Sequence, residues 1–135
     1  MSATGSRRAA RERALALLYE ADAKGVPAAE VIAGLPVPPD PYAIELALGV
    51  DGHLDEIDPL ISGFAKDWTL ERMPVIDRTL LRMAIFELLH RPDVPTAVVI
   101  SEAVELAKRY STEESGRFVN GMLAAIAAKV RPGGG

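Results

Sequence analysis

The chain has 135 residues, of which 49% are apolar and 25% are charged, with no cysteine and a formal net charge of −4. This composition predicts a single globular domain over residues 1–135, and it excludes cysteine nucleophiles, thiolate zinc sites and iron–sulfur clusters. Because no apolar run approaches the roughly 20 residues of a membrane span, and no apolar stretch of a secretory signal follows the N-terminal arginines, we expect a soluble, cytoplasmic protein.

The first predicted helix has a strongly basic start. It is expected to begin after Thr4 or Ser6 as N-cap and to run to Lys24. Its start, residues 6–13, holds four arginines and one glutamate, a net charge of +3. Cations are unfavourable at a helix N-terminus, so a cluster of them there indicates a phosphate backbone as ligand. The arginines that share one side of the helix are Arg7, Arg8 and Arg11.

The middle of the chain is acidic and rich in helix-start signals. Asp40-Pro41 and Asp58-Pro59 each read as an N-cap followed by the first helical residue. The predicted elements are a short helix at 27–33, a proline-rich linker at 34–41, and helices at about 41–52 and 59–67. Residues 14–77 hold three basic and twelve acidic side chains, a net charge of −9. Such a segment predicts a surface for a basic partner.

Three further helices are predicted in the C-terminal half. Residues 74–90 are apolar almost all round, which is typical of a central helix buried on several sides. After a helix centred on Ala103, the last helix is expected to open with a capping box, Ser111-x-x-Glu114, and a flexible tail at 132–135 to follow it. The fold class predicted is an all-α bundle of six or seven helices. His53 and His90 are too far apart in sequence to predict a metal site, and none is expected.

The start of the last helix places Arg117 beside Phe118. A basic and an aromatic residue side by side suit an RNA phosphate and its stacked base. The alternative is that Phe118 is a core residue. Val119 can take the core position instead, which would leave Phe118 free to stack on a base. Arg82, within the central helix, is either an RNA contact or half of an ion pair with a carboxylate such as Glu87 or Glu114.

Several segments occur in the order and spacing of a known family, and they extend from Trp68 to Met122. They are Trp68-Thr-Leu-Glu-Arg-Met-Pro-Val-Ile-Asp77-Arg-Thr-Leu-Leu-Arg82, Ile85-Phe-Glu-Leu88, Asp93-Val-Pro95, Glu102-Ala-Val-Glu-Leu-Ala-Lys108 and Phe118-Val-Asn-Gly121. The chain therefore resembles the NusB family of bacterial transcription antitermination and termination factors. The resemblance implies two packed helical subdomains, with neither enzymatic activity nor a cofactor.

The resemblance also implies partners and contact residues. The partners are the boxA element of nascent ribosomal RNA transcripts, the ribosomal small-subunit protein NusE and the RNA polymerase antitermination complex. The RNA-binding positions it implies are Arg7, Arg8, Arg11, Arg82, Glu114, Arg117 and Phe118. It assigns Asp77 to the contact with NusE, although Asp77 is also suited to be a first-turn acid of the central helix. Glu114 departs from the family pattern, in which Asp is expected.

Two rival functions are compatible with parts of the sequence. The first is a helical adaptor that binds only protein and whose arginines are incidental. Such a protein would not bind RNA in a salt-dependent way, whereas an RNA-binding protein would. The second is an RNA cytosine methyltransferase, because some of these enzymes begin with a NusB-like domain. Their catalytic domain contains cysteines, whereas this sequence has none. The sequence leaves open whether the free protein is a monomer or a homodimer.

Overall fold

The computed structural model describes residues 3–133, and their side chains from Arg7 onwards. Within that part of the chain every regular element is helical, with seven α-helices and one 3-10 turn. The prediction of an all-α fold with six or seven helices is confirmed. By its internal contacts the chain divides into two compact units, Met1–Gly52 and His53–Gly135.

The first unit contains α1 (Ala3–Lys24), α2 (Ala28–Ala33) and α3 (Pro41–Gly52). One apolar stripe of α1 is buried, and its members are Ala10, Ala14, Leu17, Leu18 and Ala21. The helix ends before Gly25, whose φ of +67° is the left-handed conformation that glycine adopts without strain. The predicted start was wrong, since Thr4 and Ser6 lie inside the helix rather than at its cap.

Carboxylates cap the two following helices of this unit. Asp40 Oδ1 accepts a hydrogen bond from the backbone N–H of Tyr42 at 2.7 Å, which confirms the Asp40-Pro41 start of α3. The backbone N–H of Ala28, at the start of α2, donates to Asp51 Oδ2 at 2.6 Å. Asp51 lies in α3, so α2 is held by a side chain 23 residues further along the chain.

The second unit contains four α-helices and the 3-10 turn. They are α4 (Leu54–Phe64), the 3-10 turn (Leu70–Arg72), α5 (Val75–His90), α6 (Thr96–Tyr110) and α7 (Glu113–Val130). Helix α5 contacts α4, α6 and α7, and ten of its sixteen residues are buried. This confirms the prediction of a central helix that is apolar almost all round.

The start of α4 differs from the sequence prediction. The helix begins at Leu54 rather than at Pro59, and Pro59 lies inside it. Asp58 does not act as a cap because its carboxylate is paired with another side chain. Ile57 and Ile61, one turn apart, are both fully buried. Burial of these two side chains outweighs the hydrogen bond that Pro59 cannot donate. The helix also ends three residues early, at Phe64 rather than at about residue 67.

The start of α7 is capped one residue later than predicted. The N-cap is Thr112, whose Oγ1 accepts a hydrogen bond from the backbone N–H of Ser115 at 2.9 Å. The position three residues after this cap is therefore Ser115 and not Glu114, so the predicted capping box does not form. This frees the Glu114 side chain from a capping role.

Arg131, which follows α7, stabilises the end of a different helix. Its guanidinium donates to carbonyls at the end of α5 and in the loop after it. The acceptors are the Glu87, Leu88, Arg91 and Val94 carbonyls and Thr96 Oγ1, at 2.7 to 3.2 Å. Arg131 thus adds a charged donor to the carbonyls at and after the C-terminus of α5, of which those of Glu87 and Arg91 also accept backbone N–H groups.

The predicted flexible tail, 132–135, is described only in part. Pro132 and Gly133 form a turn after α7, while residues 134 and 135 lie outside the described residues. Across residues 3–133, no helix combines the length and the apolar character that crossing a bilayer requires.

Candidate nucleic-acid interface

The arginines of the first unit lie beside an aromatic ring. The Arg7 guanidinium carbon is 3.9 Å from the centre of the Tyr42 ring, and that of Arg11 is 5.8 Å from the same centre. Arg7 and Arg8 are half-buried, whereas Arg11 is only 5% exposed. The predicted RNA contacts in this helix therefore differ from one another. Arg7 and Arg8 are accessible, while the burial of Arg11 favours a role in orienting Arg7 and Tyr42.

In the second unit, Phe118 faces a groove rather than the core. Its ring lies 5.3 Å from the ring of Trp68, at an interplanar angle of 69°, which is an edge-to-face contact. Phe118 is half-buried and Trp68 is 43% exposed. The neighbouring Val119 is fully buried and takes the core position. Of the two arrangements that the sequence allowed, the structure has the one that leaves an aromatic face accessible.

The cavity beside these rings, here called the Trp68–Phe118 groove, has a volume of about 530 Å³. It lies between the segment after α4 and the first turns of α7. Its lining residues are Phe64, Ala65, Lys66, Asp67, Trp68, Arg117, Phe118, Gly121, Met122 and Ala125. Lys66 and Arg117 bring two positive charges to a wall that also carries the negative charge of Asp67 and is otherwise mostly apolar. The groove thus combines aromatic faces with cations.

Arg117 and Glu114 form a weak pair at the edge of this groove. Arg117 Nη2 is 3.2 Å from Glu114 Oε1, and the two side chains are 71% and 80% exposed. An ion pair so open to solvent contributes about 0–1 kcal/mol and is easily exchanged for another ligand. The structure therefore places Glu114, Arg117 and Phe118 together at the start of α7, with both charged groups available.

Asp77 is buried beneath the start of α7. Only 2% of it is exposed, and its Oδ2 accepts a hydrogen bond from Ser115 Oγ at 2.8 Å. Ser115 is the residue whose backbone N–H the Thr112 cap holds. Direct contact between Asp77 and a protein partner stays a prediction, and this burial favours its other expected role, that of a first-turn acid of α5. From there it supports the start of α7.

Arg82 forms an ion pair, which is one of the two roles that the sequence left open, but with a partner that was not named. Its Nε and Nη2 donate to the two carboxylate oxygens of Asp58 at 2.8 and 2.9 Å. The carboxylates expected as partners were Glu87 and Glu114, and neither is the one found. The Arg82 side chain is about one-fifth exposed. Its predicted contact with RNA is untested and would compete with a two-point salt bridge.

Sequence reasoning missed two groups that line the groove. Trp68 entered only as part of a family pattern, and Lys66 was not considered. Lys66 was expected inside a helix at about 59–67, and Trp68 directly after it, but that helix ends at Phe64. Gly121 lines the groove too, and a Cβ at this position would meet nothing within 4 Å. A conspicuous signal was present, since Trp68 is the only tryptophan of the chain.

Comparison with known proteins assigns the family. The sequence profile of the NusB family matches residues 8–128. A transcription antitermination protein NusB from Salinispora tropica is 50% identical over 129 residues, which are 90% of this chain and 95% of the relative. A structure of T. maritima NusB has a TM-score of 0.81 at 39% identity, with 91% of each chain covered.

A second similar structure contains a protein partner and RNA as well. It is a crystal structure of the antitermination factors NusB and NusE in complex with dsRNA, with a TM-score of 0.77 at 30% identity. The match covers 91% of this chain and 96% of that chain. Both the sequence profile and the curated relative extend over most of the residues that the two compact units contain. The chain belongs to the NusB family.

Proposed function

We propose that this protein is a transcription antitermination factor that binds boxA RNA of nascent ribosomal RNA transcripts together with NusE. The observation that carries the RNA-binding part is the Trp68–Phe118 groove, with Arg117 and Lys66 at its wall. Family membership and the solved complex of NusB, NusE and dsRNA support the choice of partners. In this proposal the protein joins the RNA polymerase antitermination complex in the cytoplasm, and it is not an enzyme.

The groove suits an unpaired base. Its volume of about 530 Å³ is within the range of small-ligand sites, roughly 300–1,000 Å³. Stacking of a base on an aromatic side chain contributes about 1–3 kcal/mol whatever the base, because every base has a π-face. In a duplex the base faces are already stacked on one another, so the occupant is a single-stranded or extruded nucleotide. Phe118 and the exposed Trp68 each supply a ring on which a base can stack.

The charged groups around Phe118 have separate roles in this proposal. Arg117 donates to a phosphate through its planar guanidinium, and Lys66 adds a second positive charge from the opposite wall. Glu114 gives up its weak pairing with Arg117 and accepts a hydrogen bond from an exocyclic amino group of a base. The exchange costs little because the original ion pair is exposed.

In the first unit, Arg7 and Arg8 extend the phosphate contacts. The Arg7 guanidinium lies over the Tyr42 ring, 3.9 Å from its centre, and its side chain is half-buried, so it stays accessible to a phosphate. Arg11 is buried, so in this proposal it orients Arg7 and Tyr42 instead of contacting RNA. The −9 charge of residues 14–77 is the feature that fits the basic partner, NusE.

The test measures binding of a single-stranded boxA RNA by fluorescence anisotropy, with and without NusE. Trp68→Ala should weaken RNA binding about 5- to 150-fold, which corresponds to the loss of 1–3 kcal/mol of stacking. Tyr110→Ala is the matched control, because Tyr110 is similarly exposed and does not line the groove. Equal effects of the two substitutions would remove the groove from the RNA site.

A second test adds a side chain to the groove instead of removing one. Gly121→Leu places a side chain where a Cβ meets nothing within 4 Å, and in a helix the change from glycine stabilises by up to about 1 kcal/mol. Gly63→Leu is the control, since Gly63 is equally open and does not line the groove. We expect only Gly121→Leu to weaken RNA binding. If the wild-type protein binds NusE but no RNA at any salt concentration, the adaptor function is correct instead.

A further inference from the structure

Three metal-ligating side chains meet where α4 begins and α5 ends, outside the candidate interface. They are His53, Glu56 and His90, and one ligand atom from each lies within 4.8 Å of the other two. His90 Nε2 is 2.7 Å from Glu56 Oε1, and the centres of the two imidazole rings are 4.3 Å apart. No metal site was expected here because the two histidines are far apart in the chain, but the fold brings their rings together.

A buried ring holds both imidazoles in place. The Phe86 ring centre is 5.6 Å from that of His53 and 5.1 Å from that of His90. Phe86 is buried in α5, one turn before His90. The two imidazoles therefore rest against a fixed surface, which limits the rotamers that they can adopt. A site whose ligands are already oriented loses less conformational entropy when an ion binds.

The spacing of the three ligand atoms is close to that of a coordinated ion. Three atoms within 4.8 Å of one another have a common point no more than about 2.8 Å from each. Zinc binds histidine nitrogen and carboxylate oxygen at about 2.0–2.2 Å, so shifts of under about 1 Å per side chain complete the coordination. The half-exposed Glu56 and His90 leave a route for the ion to enter and a position for a water ligand.

The donor set selects the kind of ion. Two imidazoles and one carboxylate form the three-ligand set that zinc accepts with one position open. Magnesium and calcium prefer oxygen donors alone, so they fit this set poorly. We propose that His53, Glu56 and His90 bind a transition-metal dication of the Zn²⁺ type. The ion would link the first turn of α4 to the last turn of α5 within the second unit.

The experiment uses the full chain without a histidine tag, after treatment with a chelator. Calorimetric titration with ZnCl₂ should give saturable binding of one ion per chain, and Zn²⁺ should raise the melting temperature while Mg²⁺ does not. The same titration with Co²⁺ should produce visible absorption bands of a low-coordinate site. Absence of saturable Zn²⁺ binding would overturn the proposal and leave the cluster as an ion pair beside stacked rings.

Variants distinguish this cluster from adventitious binding elsewhere. Glu56→Gln keeps the size of the side chain, and His90→Ala removes a second ligand. Each should weaken Zn²⁺ binding by at least about 10-fold. Asp55→Asn is the matched control, as an exposed acid of the same first turn outside the cluster. Each zinc-induced rise is measured against that variant's own metal-free melting temperature, so a loss of stability in His90→Ala does not obscure the result. Undiminished binding by Glu56→Gln and His90→Ala would overturn the proposal.

Discussion

The two ends of α7 place arginines in opposite situations. At the start, Arg117 is 71% exposed and its hydrogen-bond partner in the structure is the equally exposed Glu114, at 3.2 Å. After the end, Arg131 donates to four backbone carbonyls and to one hydroxyl. One guanidinium faces solvent with its donors largely available, and the other is committed to the end of α5.

The difference shows how one residue type serves binding or stability according to what surrounds it. The donors of a guanidinium have a fixed planar arrangement, which suits a phosphate as well as a group of helix-end carbonyls. Where folding brings carbonyls into reach, the arginine stabilises the fold. Where it does not, the donors remain for a ligand. The variants below separate these two roles, and the largest expected effect comes first.

Arg131→Ala should lower the free energy of unfolding by about 2–4 kcal/mol, because it leaves several part-buried carbonyls without a charged donor. Chemical denaturation followed by circular dichroism measures the change. Lys129→Ala, an exposed cation in the last turn of the same helix, should change the free energy by less than about 0.5 kcal/mol. Similar losses in both variants would mean that the dipole of α7, and not the end of α5, is what Arg131 stabilises.

Phe118→Ala should cost about 1–3 kcal/mol of RNA affinity with little change in its salt dependence, since stacking releases no counterions. Val119→Ala, at the neighbouring and fully buried position, should do the reverse and lower the melting temperature while RNA affinity is kept. Anisotropy titrations and thermal melts of both variants make the comparison. A loss of about 3–5 kcal/mol of stability in Phe118→Ala would make it a core residue after all.

Ser115→Ala should lower the free energy of unfolding by about 1–2 kcal/mol, because it removes the donor to the buried Asp77 carboxylate. In a double-mutant cycle with Asp77→Asn, the two substitutions should couple by about 1 kcal/mol, since they share this hydrogen bond. If Asp77→Asn instead abolishes NusE binding at unchanged stability and without coupling to Ser115, Asp77 is a partner contact. Asp77→Lys is unsuitable for this test, because it buries a cation.

Arg117→Ala should have the smallest effect on stability, under about 0.5 kcal/mol, because its pairing with Glu114 is exposed. Its effect on RNA binding should be greater at low salt than at high salt. The slope of log affinity against log salt should become shallower by about 0.7 if one phosphate contact of a single strand is lost. Lys129→Ala again serves as control, and an identical slope for both variants would contradict the role of Arg117.

Local sequence signals predicted the helices well where they agreed with packing. The nearly continuous apolar character of residues 74–90 identified α5 as the central helix, and Asp40-Pro41 marked the start of α3. The equally strong Asp58-Pro59 signal was wrong, because Asp58 pairs with Arg82 and Ile57 is drawn into the core. A cap signal contributes about 1 kcal/mol, whereas burial of an isoleucine contributes about 1.5–3 kcal/mol, so packing decided the helix start.

By itself the sequence determined the all-α class and the NusB family, because apolar patterning and the order of the motifs can be read directly along the chain. Only the tertiary structure decided which distant side chains meet. Trp68 lies 50 positions from Phe118 in the chain, and His53 lies 37 from His90, yet each pair is in ring contact. Such contacts depend on where α4 ends and how α5 and α7 pack, and these are set by long-range burial that no local pattern records.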